Sequence, residues 1–166
     1  MMRQLFPVSL SDVPDATWLD QREHDAWRGL LRMHSQITAA LGRRLAAESS
    51  LSYPDYEVLV ALTDQPDARL RPFELADVLG WEQSRLSHHI ARMVSRGLVK
   101  KVPCEADRRG AFVALTARGR HEIQAAAAGH VAAVRELFID RLTPTQLDAI
   151  SRAAVNVLTS PINEWN

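Results

Sequence analysis

One stretch constrains this chain more than any other: Leu70 to Gly119, LRPFELADVLGWEQSRLSHHIARMVSRGLVKKVPCEADRRGAFVALTARG. Its first part predicts two short helices joined by a tight turn. Pro72 opens the first helix, where a missing N–H costs nothing, and Phe73, Leu75, Ala76, Val78 and Leu79 follow before Gly80 stops it. The second begins near Glu82, whose carboxylate suits the positive end of a helix. Leu86, Ile90, Met93 and Val94 recur in it at spacings of three and four, an inward stripe. The opposite side carries Gln83, Ser84, Arg85, Ser87, His88 and Arg92, hydrogen-bonding side chains with almost no acid among them. Arg85, His88 and Arg92 fall at i, i+3 and i+7 and so share one face.

Beyond Gly97, LVKKV alternates toward one strand and AFVALT toward a second, with PCEADRRG between them as a loop. Two helices, a turn and a hairpin in this order make a winged helix-turn-helix, in a chain that is otherwise mainly α with this one small β-hairpin. Such a helix fits the major groove of double-stranded DNA. Gln83, Ser84, Arg85 and His88 are the expected base contacts, Arg85 because a guanidinium reads the acceptors of guanine in a bidentate way. Arg71, Ser87, Arg92, Arg96, Lys100 and Arg108 are expected at phosphates or in orienting roles. Arg108 and Arg109 fall at the tip of the loop, where a hairpin can place a guanidinium in the narrow, electronegative minor groove, with Asp107 orienting it.

Charge is segregated in the same direction. The formal net charge is zero, yet residues 81–120 hold nine Lys or Arg against three acids, so the remainder of the chain is acidic. A basic module on an acidic frame suits a DNA-binding protein, since neutralising phosphates supplies most non-specific affinity.

The flanks predict more helix. Residues 1–14, with Pro7 and Pro14, read as an irregular arm, and a long helix follows from about Asp15 to Glu48 with Trp18, Leu19, Trp27, Leu30, Leu31, Ile37, Leu41 and Leu45 on a stripe. Leu51 to Asp64 forms another, Ser52 and Asp55 offering a capping arrangement, and DQPDAR then reads as a loop. After the hairpin, Thr116 caps a helix reaching about Leu142, whose buried side is expected at Ile123, Ala127, Val131, Val134 and Phe138. Thr143-Pro144-Thr145-Gln146 starts a last helix that turns Leu147, Ile150, Ala154 and Val157 to a core. These segments divide the chain into an N-terminal arm and long helix (1–50), a winged module (51–118) and C-terminal helices (119–166). The first and last are more apolar than a lone winged helix can bury, which predicts that they form the dimerisation domain of a homodimer. Two-fold symmetry then predicts a palindromic operator.

The run DRRGAFVALTARGR, preceded by a helix ending SRGLVKK, resembles the signature of the MarR family of bacterial transcription regulators: Asp-x-Arg, here Asp107 to Arg109, followed by Leu-Thr-x-x-Gly, here Leu115 to Gly119. The resemblance extends over nearly the whole chain. It implies a dimeric repressor released from DNA by a small ligand, and it makes Arg109 the wing residue for the minor groove. In relatives, small aromatic or phenolic acids bind between the dimer stem and the winged module. In this chain Trp27, Leu31 and His34 of the first helix and Tyr56 and Val60 of the second are the corresponding candidates, although residues at such spacing also suit plain core.

Other chemistries find little support. His88 and His89 are adjacent and point about 100° apart on a helix, so they do not converge on one metal, and there is no HExxH, CxxC, phosphate loop or GxSxG elbow. No enzyme activity, metal or cofactor is expected. No stretch approaches a membrane span and the N-terminus has no signal-peptide core, which predicts a cytoplasmic protein. The single cysteine, Cys104, excludes an internal disulfide and leaves a redox switch as one alternative. The remaining alternatives are a metal-responsive regulator of the same fold and a helical interaction protein that no longer binds DNA.

Overall fold

The computed structural model describes residues 18–104 and 107–159, with side-chain detail for all of these except 107–109. The chain divides into two units, Met1–Gln36 and Ile37–Asn166. Its first helix, α1, spans Gln21–Glu48 and starts later than the apolar pattern suggests. Asp20 Oδ1 accepts from the Glu23 N–H while Glu23 Oε2 accepts from the Asp20 N–H, both at 2.8 Å, and this reciprocal cap sets the start. Trp18 and Leu19 lie ahead of it. Within the first unit Trp27, Leu30 and Leu31 are about half exposed. The expected arm at residues 1–14 lies outside the described residues.

In the second unit α1 contributes buried Leu41 and Leu45. Then follow α2 (Tyr53–Thr63), β1 (Arg69–Leu70), α3 (Pro72–Leu79), α4 (Gln83–Ser95), β2 (Val99–Cys104), β3 (Asp107–Leu115), α5 (Ala117–Leu137), a 3₁₀ turn (Ile139–Arg141) and α6 (Pro144–Leu158). One hydrophobic cluster holds α2, α3, α4 and the sheet together; Val58, Leu59, Leu62, Leu75, Leu86, Met93, Leu98, Val99 and Val113 are its most enclosed members. Between α3 and α4, Gly80 takes φ +63°, and the N–H groups of Gly80 and Trp81 reach back to the Asp77 and Ala76 carbonyls at 3.2 and 2.9 Å. A left-handed residue at this place favours glycine, so the helix-turn-helix angle is written into the sequence.

The sheet departs from the expected hairpin. It has three antiparallel strands in the order β1-β3-β2, and β1 starts on Arg69, the last residue of what reads as a loop, because two residues carry no periodicity to detect. Both hairpin strands also run further. β2 passes through Pro103 to Cys104, which pairs with Asp107 beyond a register shift, and the backbone of Arg108 and Arg109 belongs to β3 rather than to a loop. Pro103 is tolerated because β2 is an edge strand, where a missing N–H breaks no ladder.

Three apolar stripes are also rotated or left open. Val94 is 38 % exposed, one residue and so about 100° beyond the fully buried Met93. On α5 the buried positions are Ile123, Ala126 and Ala133, with His130 half-buried, while Val131 is exposed and Ala127, Val134 and Phe138 are only partly covered. Close approach explains the rotation: a Cβ at Gly119 would collide with the Leu98 carbonyl oxygen, so α5 lies with its small residues against the module. Phe138 leaves helical geometry at φ −136°, which ends α5 before Leu142. α6 carries the expected cap, Thr143 Oγ1 accepting from the Gln146 N–H and Gln146 Oε1 from the Thr143 N–H, but it buries no residue within the single chain.

Candidate nucleic-acid interface

α4 presents two chemically distinct sides. Its inner side locks into the core through Leu86, Ile90 and Met93, and Gln83, Ser84, Arg85, Ser87, His88 and Arg92 are all exposed on the other. The polar face expected from the sequence is therefore free of the core. Arg85 lies over the indole of Trp81, its guanidinium carbon 4.2 Å from the ring centroid.

Beneath this helix sits a buried polar cluster. Asp55, at the third position of α2, is 1 % exposed and closes the α2 cap by accepting from the Ser52 N–H and Oγ at 2.9 and 2.8 Å. The same carboxylate accepts from Arg96 Nη1 at 2.7 Å. His89 Nε2 stands 3.1 Å from its other oxygen, off the line of a well-formed hydrogen bond. Burial pushes the Asp55 carboxyl up, but contacts from His89, Arg96 and Ser52 outweigh it and hold the group well below the usual carboxylate range. On its far side the His89 ring meets Arg92 Nη2 at 3.0 Å through Nδ1. A guanidinium only donates, so Nδ1 must accept, and the ring proton belongs on Nε2 facing Asp55.

Three expected phosphate or orienting residues have partners inside the protein. Arg96 divides its guanidinium between Asp55 and the Ser50 carbonyl, the latter at 2.6 Å, and thereby ties the end of α4 to the start of α2. Arg92 contacts His89 but remains exposed. Arg71 donates to Cys104 Sγ at 2.8 Å and stacks 4.4 Å above the Phe112 ring, where Arg69 lies at 4.9 Å. Lys100 is exposed on β2. The side chains of Asp107, Arg108 and Arg109 lie outside the described residues. A cleft of about 630 Å³ opens between the start of α3, Gln83, Lys101 and β3, with Arg71 and exposed Phe73 on its wall.

The expected ligand residues fall in both units. Trp27, Leu31 and His34 are exposed on the first unit, whereas Tyr56 and Val60 are half-buried on α2, and none of the five lines this cleft or the smaller cavity between α1 and α5. That cavity, about 40 Å³, lies among Leu41, Arg44, Leu45, Gly129, His130 and Ala133, with room for water but not for an aromatic acid. The Tyr56 ring packs instead on His130 at 4.2 Å, and burial lowers the His130 pKa. Among the described residues no group of three or more His, Cys, Asp or Glu could hold a metal ion.

Comparison with known proteins places this geometry. A family model described as MarR family matches residues 49–110. The transcriptional regulator HosA of Escherichia coli O157:H7 is 34 % identical over 118 residues, covering 71 % of this chain and 83 % of HosA. The crystal structure of AbsC, a MarR family transcriptional regulator from Streptomyces coelicolor, superposes with a TM-score of 0.80 at 38 % identity, covering 87 % of this chain and 97 % of AbsC. The chain belongs to the MarR family. Sco3205, a second MarR family regulator from Streptomyces coelicolor, solved in complex with DNA, matches with the same TM-score at 35 % identity, over 85 % of this chain and 92 % of that one. In this MarR family protein the winged helix-turn-helix is the matched core. Sequence reading of it overlooked Asp55 and Trp81: the former looked like a cap alone, and the latter fell in the turn between two helices. No helix among the described residues is long and apolar enough to cross a membrane.

Proposed function

We propose that this chain acts in the cytoplasm as a homodimeric, sequence-specific repressor that binds a near-palindromic operator. The observation that carries the reading is the two-sided α4: Leu86, Ile90 and Met93 anchor it, and Gln83, Ser84, Arg85 and His88 stand exposed together for base edges. Ser87, Arg92 and Lys100 flank that face as phosphate contacts. Arg109, oriented by Asp107, serves the minor groove, with Arg108 beside it on the backbone. Arg71 and Arg96 act by orienting, one through Phe112 and Cys104, the other through Asp55.

Dimerisation is supported by the apolar surface a single chain leaves open. Ile150, Val155, Val157 and Leu158 on α6, and Trp27, Leu30 and Leu31 on α1, are all exposed. Grouped exposed apolar side chains of this kind suit an interface between chains. Release by a small aromatic or phenolic ligand completes the reading, with Tyr56 and Val60, and Trp27, Leu31 and His34, as its candidate contacts.

The test is selection of bound duplexes from a random DNA pool at two salt concentrations, with the unaltered chain and with Arg109→Ala. The expected result is a palindromic motif whose binding falls steeply with salt and weakens without Arg109. A chain that enriches no motif, with or without candidate ligands, would overturn the proposal in favour of an interaction protein.

A further inference from the structure

Four side chains form a column from the core to the outer face of α4. Asp55 is buried in α2; His89 stands on it with Nε2 at 3.1 Å. The His89 ring meets the Trp81 indole edge-on, at 5.4 Å between centroids and 85° between planes. The Trp81 face in turn carries the Arg85 guanidinium at 4.2 Å. Each contact restricts the next. A carboxylate accepting from three donors is fixed in place, a buried histidine bonded through Nδ1 to Arg92 with Nε2 facing that carboxylate has little room to rotate, and the indole meets the edge of that ring.

The stack has a consequence for recognition. A guanidinium placed over the face of an aromatic ring is attracted to its π cloud without spending its N–H donors on a hydrogen-bond acceptor. Among the described residues no hydrogen bond occupies those donors of Arg85. Bidentate reading of guanine needs the guanidinium held in one orientation, and a long arginine otherwise loses rotamer freedom on binding. From this geometry we infer that Trp81 is a specificity-determining positioning residue: it holds Arg85 ready to read a base without itself being a base contact. The inference rests on the proposed role of Arg85 in DNA reading and adds the residue that sets its geometry.

The experiment compares full-length wild type, Trp81→Leu, Trp81→Phe, Arg85→Ala and the double variant Trp81→Leu/Arg85→Ala. Affinities are measured for the selected operator, for operators altered singly at each position, and for unrelated DNA. Trp81→Leu is expected to lower discrimination about two- to fivefold at the position that Arg85 reads, leaving affinity for unrelated DNA and its salt dependence unchanged. Trp81→Phe, which keeps an aromatic face and guards against loss of fold in the leucine variant, should retain most of the discrimination. Adding Trp81→Leu to Arg85→Ala should change nothing further, because the indole acts only through the arginine.

Equal loss of affinity for all DNA in Trp81→Leu, or an undiminished effect of that change in the Arg85→Ala background, would overturn the inference and leave Trp81 as ordinary packing. A wild type with a clear motif and a Trp81→Leu that discriminates equally well would overturn it alone. A wild type with no motif would overturn it together with the regulator reading.

Discussion

Asp55 and Arg96, 41 residues apart in sequence, meet at 2.7 Å, and the carboxylate end of that pair is 1 % exposed while the arginine side chain is 39 % exposed. The asymmetry decides what each residue is worth. Removing the acid strips a buried cap and leaves Arg96 without its counter-charge. Removing the arginine leaves a carboxylate still held by Ser52. Asp55→Ala should therefore cost about 3 kcal/mol of folding stability. Arg96→Met should cost roughly half as much, since its exposed guanidinium is screened by water. Urea unfolding of the two variants checks the order, and equal losses would contradict it.

The same carboxylate predicts an acid limb. Its folded pKa is depressed below the ordinary value of 3.8, so its contribution is fully present above that value and is lost as pH falls through it toward the folded one. Wild type should lose stability on moving from about pH 5 to about pH 3, and Asp55→Asn, already destabilised, should lose less over that interval. Parallel curves for the two proteins would show that Asp55 does not titrate with folding.

His130 predicts a second dependence nearer neutrality. Burial beside Tyr56 lowers its pKa below the ordinary 6.5, so the unfolded chain takes up its proton first and stability rises with pH up to about that value. Stability should fall as pH drops from about 7 toward 5, and His130→Phe should flatten that slope while keeping an aromatic partner for Tyr56. An unchanged slope in the variant would assign the dependence to another group.

Two glycines should respond in opposite directions to alanine. At Gly119 a Cβ would strike the Leu98 carbonyl oxygen and crowd Leu115, with backbone rather than a flexible side chain in the way. Gly119→Ala should cost about 2–3 kcal/mol. Gly29 lies within α1 with nothing within 4 Å of an added Cβ, so Gly29→Ala should stabilise by about 0.5–1 kcal/mol through helix propensity. Denaturant unfolding at equal protein concentration measures both.

Arg85 and Lys100 should separate base reading from charge neutralisation. Arg85→Ala should cost about 1–3 kcal/mol on the selected operator and relax preference at one position. Lys100→Ala should weaken every sequence alike and reduce the salt slope by about one. A uniform effect of both substitutions in binding titrations would show that Arg85 meets only phosphate.

Much of the fold was legible because its signals are local. The Ser52–Asp55 and Thr143–Gln146 caps, Pro72 and Pro144 at helix starts, and Gly80 with its positive φ each act within a few residues of themselves. The outer face of α4 was legible for the same reason, since exposure on a helix follows from its 3.6-residue period. Illegible were the two-residue β1, which pairs with a strand more than forty positions away, and the passage of β2 through Pro103, tolerated only because its neighbours in the sheet leave it at an edge. The rotation of α5 also escaped, because the close contact at Gly119 overrides the larger side chains that seemed to mark its buried side.

The order of helices and strands, the caps that bound them and the chemistry displayed on α4 are local properties of the chain, because each depends on neighbours one to four residues apart. The setting of each cation is instead a product of long-range packing. Arg96 is held by Asp55, Arg71 lies on Phe112, and Arg85 rests on an indole braced by His89. An isolated arginine in a sequence carries the same charge and the same donors wherever it falls. What it does is settled by whether folding brings a buried carboxylate or an aromatic face within about 4 Å of it, where charge and ring attraction act at close range.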